Sequence, residues 1–362
     1  MQNLKLVISD CEGPISKNDN AYELSAHFIP NGGTLFTNIS RYDDILVDVF
    51  HKQGYSAGST LRLILPFFTA YDITDEQIEA FCTQNICLIP HIADALSHIH
   101  AGAKVFIVST SYEHYIKALC KTINFPYENT YCTKVSLHKY KVSSEEKNRL
   151  KAIAQEIAQM PKIEIPPTAV TLADFSAVDQ VAIRRLDEIF WTELPKMNAG
   201  KLLIDVVTIG GPQKADAIRD AVKRLDAQLS NVMYLGDSIT DVDAFKLVHE
   251  SGGLAVSFNG NGYAIRNAEI SVLSGSALVT AVVADLFCRL GKEQTLKVVQ
   301  FWCRAVLSEN GISTAMLKHL FTVYTNTQPE VQVITPQNME QIIRQSCEFR
   351  EKIRGEDIGR LG

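Results

Sequence analysis

Three features are missing from this chain. It has no run of apolar residues near the ~20 that a membrane-spanning helix needs, no excess of positive charge, and no Cys-x-x-Cys pair among its eight cysteines. The first absence argues against membrane insertion. The second, a formal charge of −6, argues against nucleic acid as a partner, because phosphate-backbone binding needs a basic footprint. The third offers neither a zinc site nor a disulfide framework, which points to a reduced, cytoplasmic protein. The opening MQNLKLVISD lacks the charged and long apolar regions of a secretory signal and reads as a first strand. No internal repeat or low-complexity segment stands out.

What is present is ordinary globular composition, 46% hydrophobic and 21% charged over 362 residues, enough for one core with one or two additions. Three short apolar runs end in polar or acidic residues: LKLVIS before Asp10, AKVFIV before Ser109 and NVMYLG before Asp237. Such runs fit strands buried on both faces of a parallel sheet. Helical patterns lie between them, as in IPHIADALSHIHAG, closed by a glycine. The alternation predicts an α/β doubly wound core whose strand ends face one crevice. The expected core is 1–17, 88–142 and 199–285, with a helical cap over 18–87. A second mainly helical insertion is expected over 143–198, and a C-terminal helical extension over 286–362.

Four elements at those strand ends carry chemistry. Asp10 and Glu12 stand one residue apart, on one side of an extended chain. A carboxylate there can attack phosphorus, and a second acid can protonate the leaving oxygen; the same pair also fits turn acids capping the next element. Ser109, followed by Thr110 and Ser111, offers a hydroxyl near a helix start for a phosphate oxygen, or a plain N-cap. Lys214, just after the turn GGPQ, adds positive charge at a helix start, where the macrodipole is already positive. That placement makes sense opposite carboxylates, although any single lysine also reads as a solvated one. In GDSITD, Asp237 and Asp241 share one tight loop. With an acid from the first strand they would form an oxygen cage for a hard divalent ion such as Mg2+.

In this order the four resemble the haloacid dehalogenase (HAD) superfamily, in its phosphoserine-phosphatase-like branch; AVSFNGNG looks like that branch's short strand and asparagine loop. The resemblance implies a three-layer Rossmannoid core and a Mg2+-dependent phosphatase acting on a small phosphorylated metabolite. It assigns Asp10 as nucleophile and metal ligand, and Glu12 as acid/base and, through its carbonyl, metal ligand. Ser109 and Lys214 would hold the phosphoryl group, and Asp237 and Asp241 would complete or support the metal site. DCEGPISKNDNAYELSAHFIPNGG further resembles an archaeal group, subunit R of energy-converting hydrogenase A.

The chain departs from the HAD pattern at Glu12, where phosphatases of the superfamily usually carry aspartate. One added methylene moves the acid by about a bond length in a site where ~1 Å matters. Three outcomes are open: a working phosphatase whose cap is set back to fit, a slow enzyme, or a site that binds without turnover. The alternative to an enzyme is a catalytically weak HAD-fold subunit or regulator in a larger complex, its extra helices meeting a protein partner. Asn18, Asn20, Arg41 and Arg62 are polar residues of the cap with no pattern that names a substrate.

Overall fold

Leu6–Ser9 (β1) carries four residues with no more than 6% exposure, so neither face of this strand meets water. A computed structural model, describing residues 4–323, 329–359 and 361, places it inside a seven-stranded sheet. The other strands are Lys104–Tyr112 (β2), Thr130–Thr133 (β3), Val232–Gly236 (β4), Leu254–Phe258 (β5), Ile270–Leu273 (β6) and Glu330–Val333 (β7). Their order is β3-β2-β1-β4-β5-β6-β7, parallel throughout except for the antiparallel β6/β7 pair. Helices Pro212–Arg224 and Val242–Glu250 cover one face through Ile218, Phe245 and Val248. Ile92–His100, Glu113–Thr122 and the long Leu278–Gln300 belong to the larger apolar cluster on the other. This is the expected α/β HAD-like architecture.

Register decides what meets at the strand ends. Ser9 pairs with Leu235 of β4 and with Ile107 of β2. The next backbone N–H, that of Asp10, donates to Leu235 O at 2.8 Å. The loops leaving β1 and β4 therefore begin side by side, at the point where successive connections diverge to opposite sides of the sheet.

Two expectations are corrected. β2 does not stop before Ser109 but runs on to Tyr112, with a register irregularity between Val108 and Tyr112. The C-terminal stretch is not purely helical: Glu330–Val333 adds the antiparallel edge strand. Its short EVQV alternation gave no signal strong enough to separate a strand from a loop. Residues 324–328, 360 and 362 of that stretch lie outside the described residues, as do 1–3 of the first strand region.

The helical segments 18–87 and 143–198 pack on each other. Helix Gly32–Asp44 lies against Ser144–Gln159, and buried Asn38 donates through Nδ2 to Ile157 O at 2.8 Å and Met160 O at 3.2 Å. Tyr42 binds Asp187, and Trp191 Nε1 donates to the Tyr42 hydroxyl at 2.8 Å. Asn38 thus supplies a donor to Met160 O, and a second one to Ile157 O, where the second helix ends. Asn38→Ala is expected to lower unfolding free energy by about 1–3 kcal/mol, because Met160 O loses its donor and Ile157 O keeps only the Met160 N–H. Urea denaturation followed by circular dichroism measures it.

Candidate active site

The centre of the site is a buried lysine. Lys214, in the first turn of Pro212–Arg224, has no exposed surface. Its Nζ donates to Asp10 Oδ2 at 2.5 Å and to Asp241 Oδ1 at 2.7 Å. An ammonium is tolerated away from water only where carboxylates face it. Burial opposes its charge, but Asp10 and Asp241 outweigh burial and hold it above the ordinary lysine range.

Asp241 is the most completely bonded acid here. Besides Lys214 it accepts from the Tyr234 hydroxyl at 2.6 Å, and its Oδ2 accepts the backbone N–H of Asp237 at 2.9 Å and of Ser238 at 3.0 Å. These donors and Lys214 overcome burial and hold its carboxyl below the usual range. Asp10 is placed differently. Its Oδ1 accepts the Cys11 N–H at 2.6 Å. Burial raises it, Lys214 partly offsets that, and the Asp241 and Asp237 charges raise it further.

Asp237 stands against Gly13. A Cβ on that glycine would come within 2.3 Å of Asp237 Oδ2, and its φ of +102° lies where side chains are disfavoured. The loop after β1 can therefore cross directly over the loop after β4. Asp10, Asp237 and Asp241 each offer an oxygen within 4.8 Å of the others. Among the described residues they are the only such group with metal-ligating side chains.

Glu12 lines the same cavity as Asp10 and Asp237, together with Asp19, Asp43, Asp44, Thr110, Thr240, Arg350 and Arg354. Its Oε1 accepts the backbone N–H of Asn20 at 2.6 Å, in the first turn of helix Asn20–Phe28. The Glu12 carboxyl thus meets the first turn of that helix. Burial and Asp19 raise its carboxyl well above the ordinary range, against the lowering by the Asn20 N–H and Arg354. The cavity itself measures about 100 Å³.

The structure brings Asp10, Lys214, Asp237 and Asp241 into one cluster and puts Glu12 beside it. Ser109 is not brought to the cavity wall: it is 1% exposed, and its Oγ accepts the Ser111 N–H at 3.2 Å. Thr110 lines the cavity instead, with Oγ1 buried and lacking a hydrogen-bond partner. The continuation of β2 through Ser109 shifts the opening position by one. Gly58, whose Cβ would sit 2.8 Å from Thr110 Cγ2, brings the cap segment down onto this point. Of the cap residues singled out, Asn18 and Arg41 hold local structure, through Glu23 and through Ile163 O.

Sequence reasoning missed Tyr234, which reads as one more strand residue. It also missed the acids Asp19, Asp43 and Asp44 and the two arginines of helix Met339–Arg354. Burial and neighbouring Asp43 push Asp44 up to about 8, while Asp43 accepts from Thr60 N and Oγ1 at 3.0 and 2.9 Å. No local motif marks any of these residues; the acids and arginines are marked only by their arrival at one cavity, and Tyr234 only by its bond to Asp241.

The family model of the haloacid dehalogenase-like hydrolases matches residues 61–285, more than half of the chain. The protein belongs to that family. The matched span contains Ser109, Lys214, Asp237 and Asp241, and it begins after Asp10 and Glu12, whose placement rests on the geometry above. No curated protein matches significantly. The structure of a gene product from Archaeoglobus fulgidus is 24% identical. That match covers 99% of this chain and 99% of that one with a TM-score of 0.80, so the whole fold is shared, extension included. Two phosphoserine phosphatase structures, an apo form and a phospho-aspartyl intermediate analogue, each cover 75% of this chain and 95% and 93% of their own. They are 10% and 11% identical, with TM-scores of 0.40 and 0.45, too loose a likeness to bear on the site. None of these matches names a hydrogenase.

Tyr234→Phe removes one donor from buried Asp241 without changing shape. It is expected to lower stability by about 1.5–3 kcal/mol, the range for a hydrogen bond to a charged group, in equilibrium denaturation at pH 7.

Proposed function

We propose that the protein is a phosphomonoesterase that uses a divalent cation, Mg2+ by the hardness of its ligands, and forms an aspartyl phosphate on Asp10. The observation that carries this reading is Lys214 bridging Asp10 and Asp241, with Asp237 completing a compact set of three carboxylates.

A hard cation fits these residues. The donors are all carboxylate oxygens, which suit Mg2+. Carboxyl groups at and behind the cavity (Asp10, Glu12, Asp19, Asp43, Asp44, Asp237, Asp241) outnumber the cationic Lys214, Arg350 and Arg354. Asp10 and Asp237 would hold the ion, supported by Asp241. Bound there, it would supply charge stabilisation to the phosphoryl oxygens.

The chain's own groups do the rest. An oxygen of Asp10 attacks phosphorus while the bond to the leaving alcohol breaks, and Glu12 gives that alcohol oxygen its proton. Water then attacks the aspartyl phosphate, Glu12 takes a proton from it, and inorganic phosphate leaves with Asp10 restored. Lys214 offsets charge on the transferring group and favours the ionised form of Asp10 against its burial. The Thr110 hydroxyl, at the cavity wall and without a hydrogen-bond partner, would donate to a phosphoryl oxygen, the role the family pattern gives to Ser109. The confined cavity and its acidic far wall favour a small substrate.

Hydrolysis of p-nitrophenyl phosphate with added Mg2+ is expected for the wild type and is expected to vanish in Asp10→Asn. Wild-type protein that binds Mg2+ yet turns over nothing in a panel of phosphorylated metabolites would overturn the enzyme reading in favour of a non-catalytic HAD-fold subunit. Glu12→Asp withdraws the carboxyl from Asn20 N. A misplacement of ~1 Å can lower turnover by about 100-fold, and a loss of that order in kcat is expected. Unchanged kcat would show that the reach to the cap helix plays no part.

A further inference from the structure

We infer that Arg350 and Arg354, from the C-terminal extension, are positioning residues for the cation-binding carboxylate Asp237: they pin one of its oxygens and leave the other for the ion. This rests on the reading proposed above.

Helix Met339–Arg354 docks on the core beyond the family-matched span, with Ile342 and Ser346 buried and Ser346 Oγ donating to Gly260 O at 2.5 Å. Its last two turns deliver two guanidiniums to the site, both with side chains 5% exposed or less. They converge on a single atom. Arg354 Nη1 lies 3.1 Å from Asp237 Oδ2, and Arg350 Nη1 binds the same oxygen. Among the described residues no hydrogen bond or ion pair reaches the second oxygen, Oδ1.

The arginines are themselves held. Arg350 Nε donates to Gly359 O at 3.1 Å, and its other donors point at the carbonyls of Leu361 and Asn259, each at 3.5 Å. Arg354 Nε donates to Lys17 O at 3.0 Å, and its Nη2 donates to Asn18 O. Backbone carbonyls from the loop after β1, the loop after β5 and the chain terminus thus fix both planes. A guanidinium whose fork is filled by carbonyls is not free to swing onto a substrate; it can only hold what it faces.

What it faces needs holding. Asp237 sits beside Asp10 and Asp241, whose like charge would otherwise turn it away from them. Two guanidiniums on its Oδ2 offset that repulsion and remove its rotational freedom. Groups that orient a metal ligand in this way contribute about 10–100-fold to metal affinity.

The test is Mn2+ binding to the full chain, followed by calorimetry and by the paramagnetic resonance of free Mn2+. Arg350→Gln and Arg354→Gln are each expected to weaken affinity by about 10–100-fold. Arg350→Lys should recover part of the loss, since it returns charge without the fork. Ser346→Ala, which loosens the same helix without touching Asp237, is expected to lower the Tm and leave affinity unchanged. Native circular dichroism is required of each variant, and Arg354→Gln carries the test if Arg350→Gln does not fold. Unchanged affinity in both glutamine variants would reduce the arginines to tail anchors. Tighter binding would make them rivals of the ion. Either result overturns the inference. Wild type that binds no Mn2+, with Asp237→Asn no different, would instead overturn the proposed function and this inference with it.

Discussion

Everything at the site turns on one buried ammonium held between two carboxylates. Lys214 cannot lie without exposure on its helix unless Asp10 and Asp241 face it, and those two acids lie far apart in the sequence. Their meeting fixes the loop after β1 against the loop after β4. Asp241 is in turn anchored by Tyr234 and by two backbone N–H groups of its own loop. The arrangement asks the sheet for level strand ends and asks Gly13 to have no side chain. Breaking one member of a buried ionic group leaves the others uncompensated, so the core and the chemistry depend on the same contacts.

The extra segments surround that centre from two sides. The helices of 18–87 and 143–198 lie over the strand ends as one packed body, and Glu12 joins it to the first loop through Asn20. The glutamate that departs from the family's usual aspartate has a structural partner in the Asn20 N–H. From the other side the C-terminal helix brings Arg350 and Arg354 to Asp237. An extension that sequence alone suggested as a surface for another protein turns the end of its helix to the chain's own site.

The sequence shows the core well because the core obeys local rules. Buried strands of a parallel sheet read as short apolar runs, and the acids and lysine stand at fixed offsets from their ends. Ser109 shows the limit of that logic. A polar residue after an apolar run marks a strand end only if the ladder stops there, and β2 continues to Tyr112, so Thr110 reaches the cavity wall. β7 was missed for a related reason: an edge strand of four residues carries too little alternation to distinguish it from a loop.

By itself the sequence determined the fold class, the family and the order of the reactive groups. Each of these is written in short stretches whose spacing follows from strand and helix periodicity. Only the tertiary structure decided that Tyr234 holds Asp241, that Thr110 faces the cavity, that Asp43 and Asp44 form its far wall, and that two arginines more than a hundred residues away close on Asp237. Those contacts join segments with no shared periodicity, and a guanidinium on a surface-like amphipathic helix looks no different in sequence whether it meets water or a buried carboxylate.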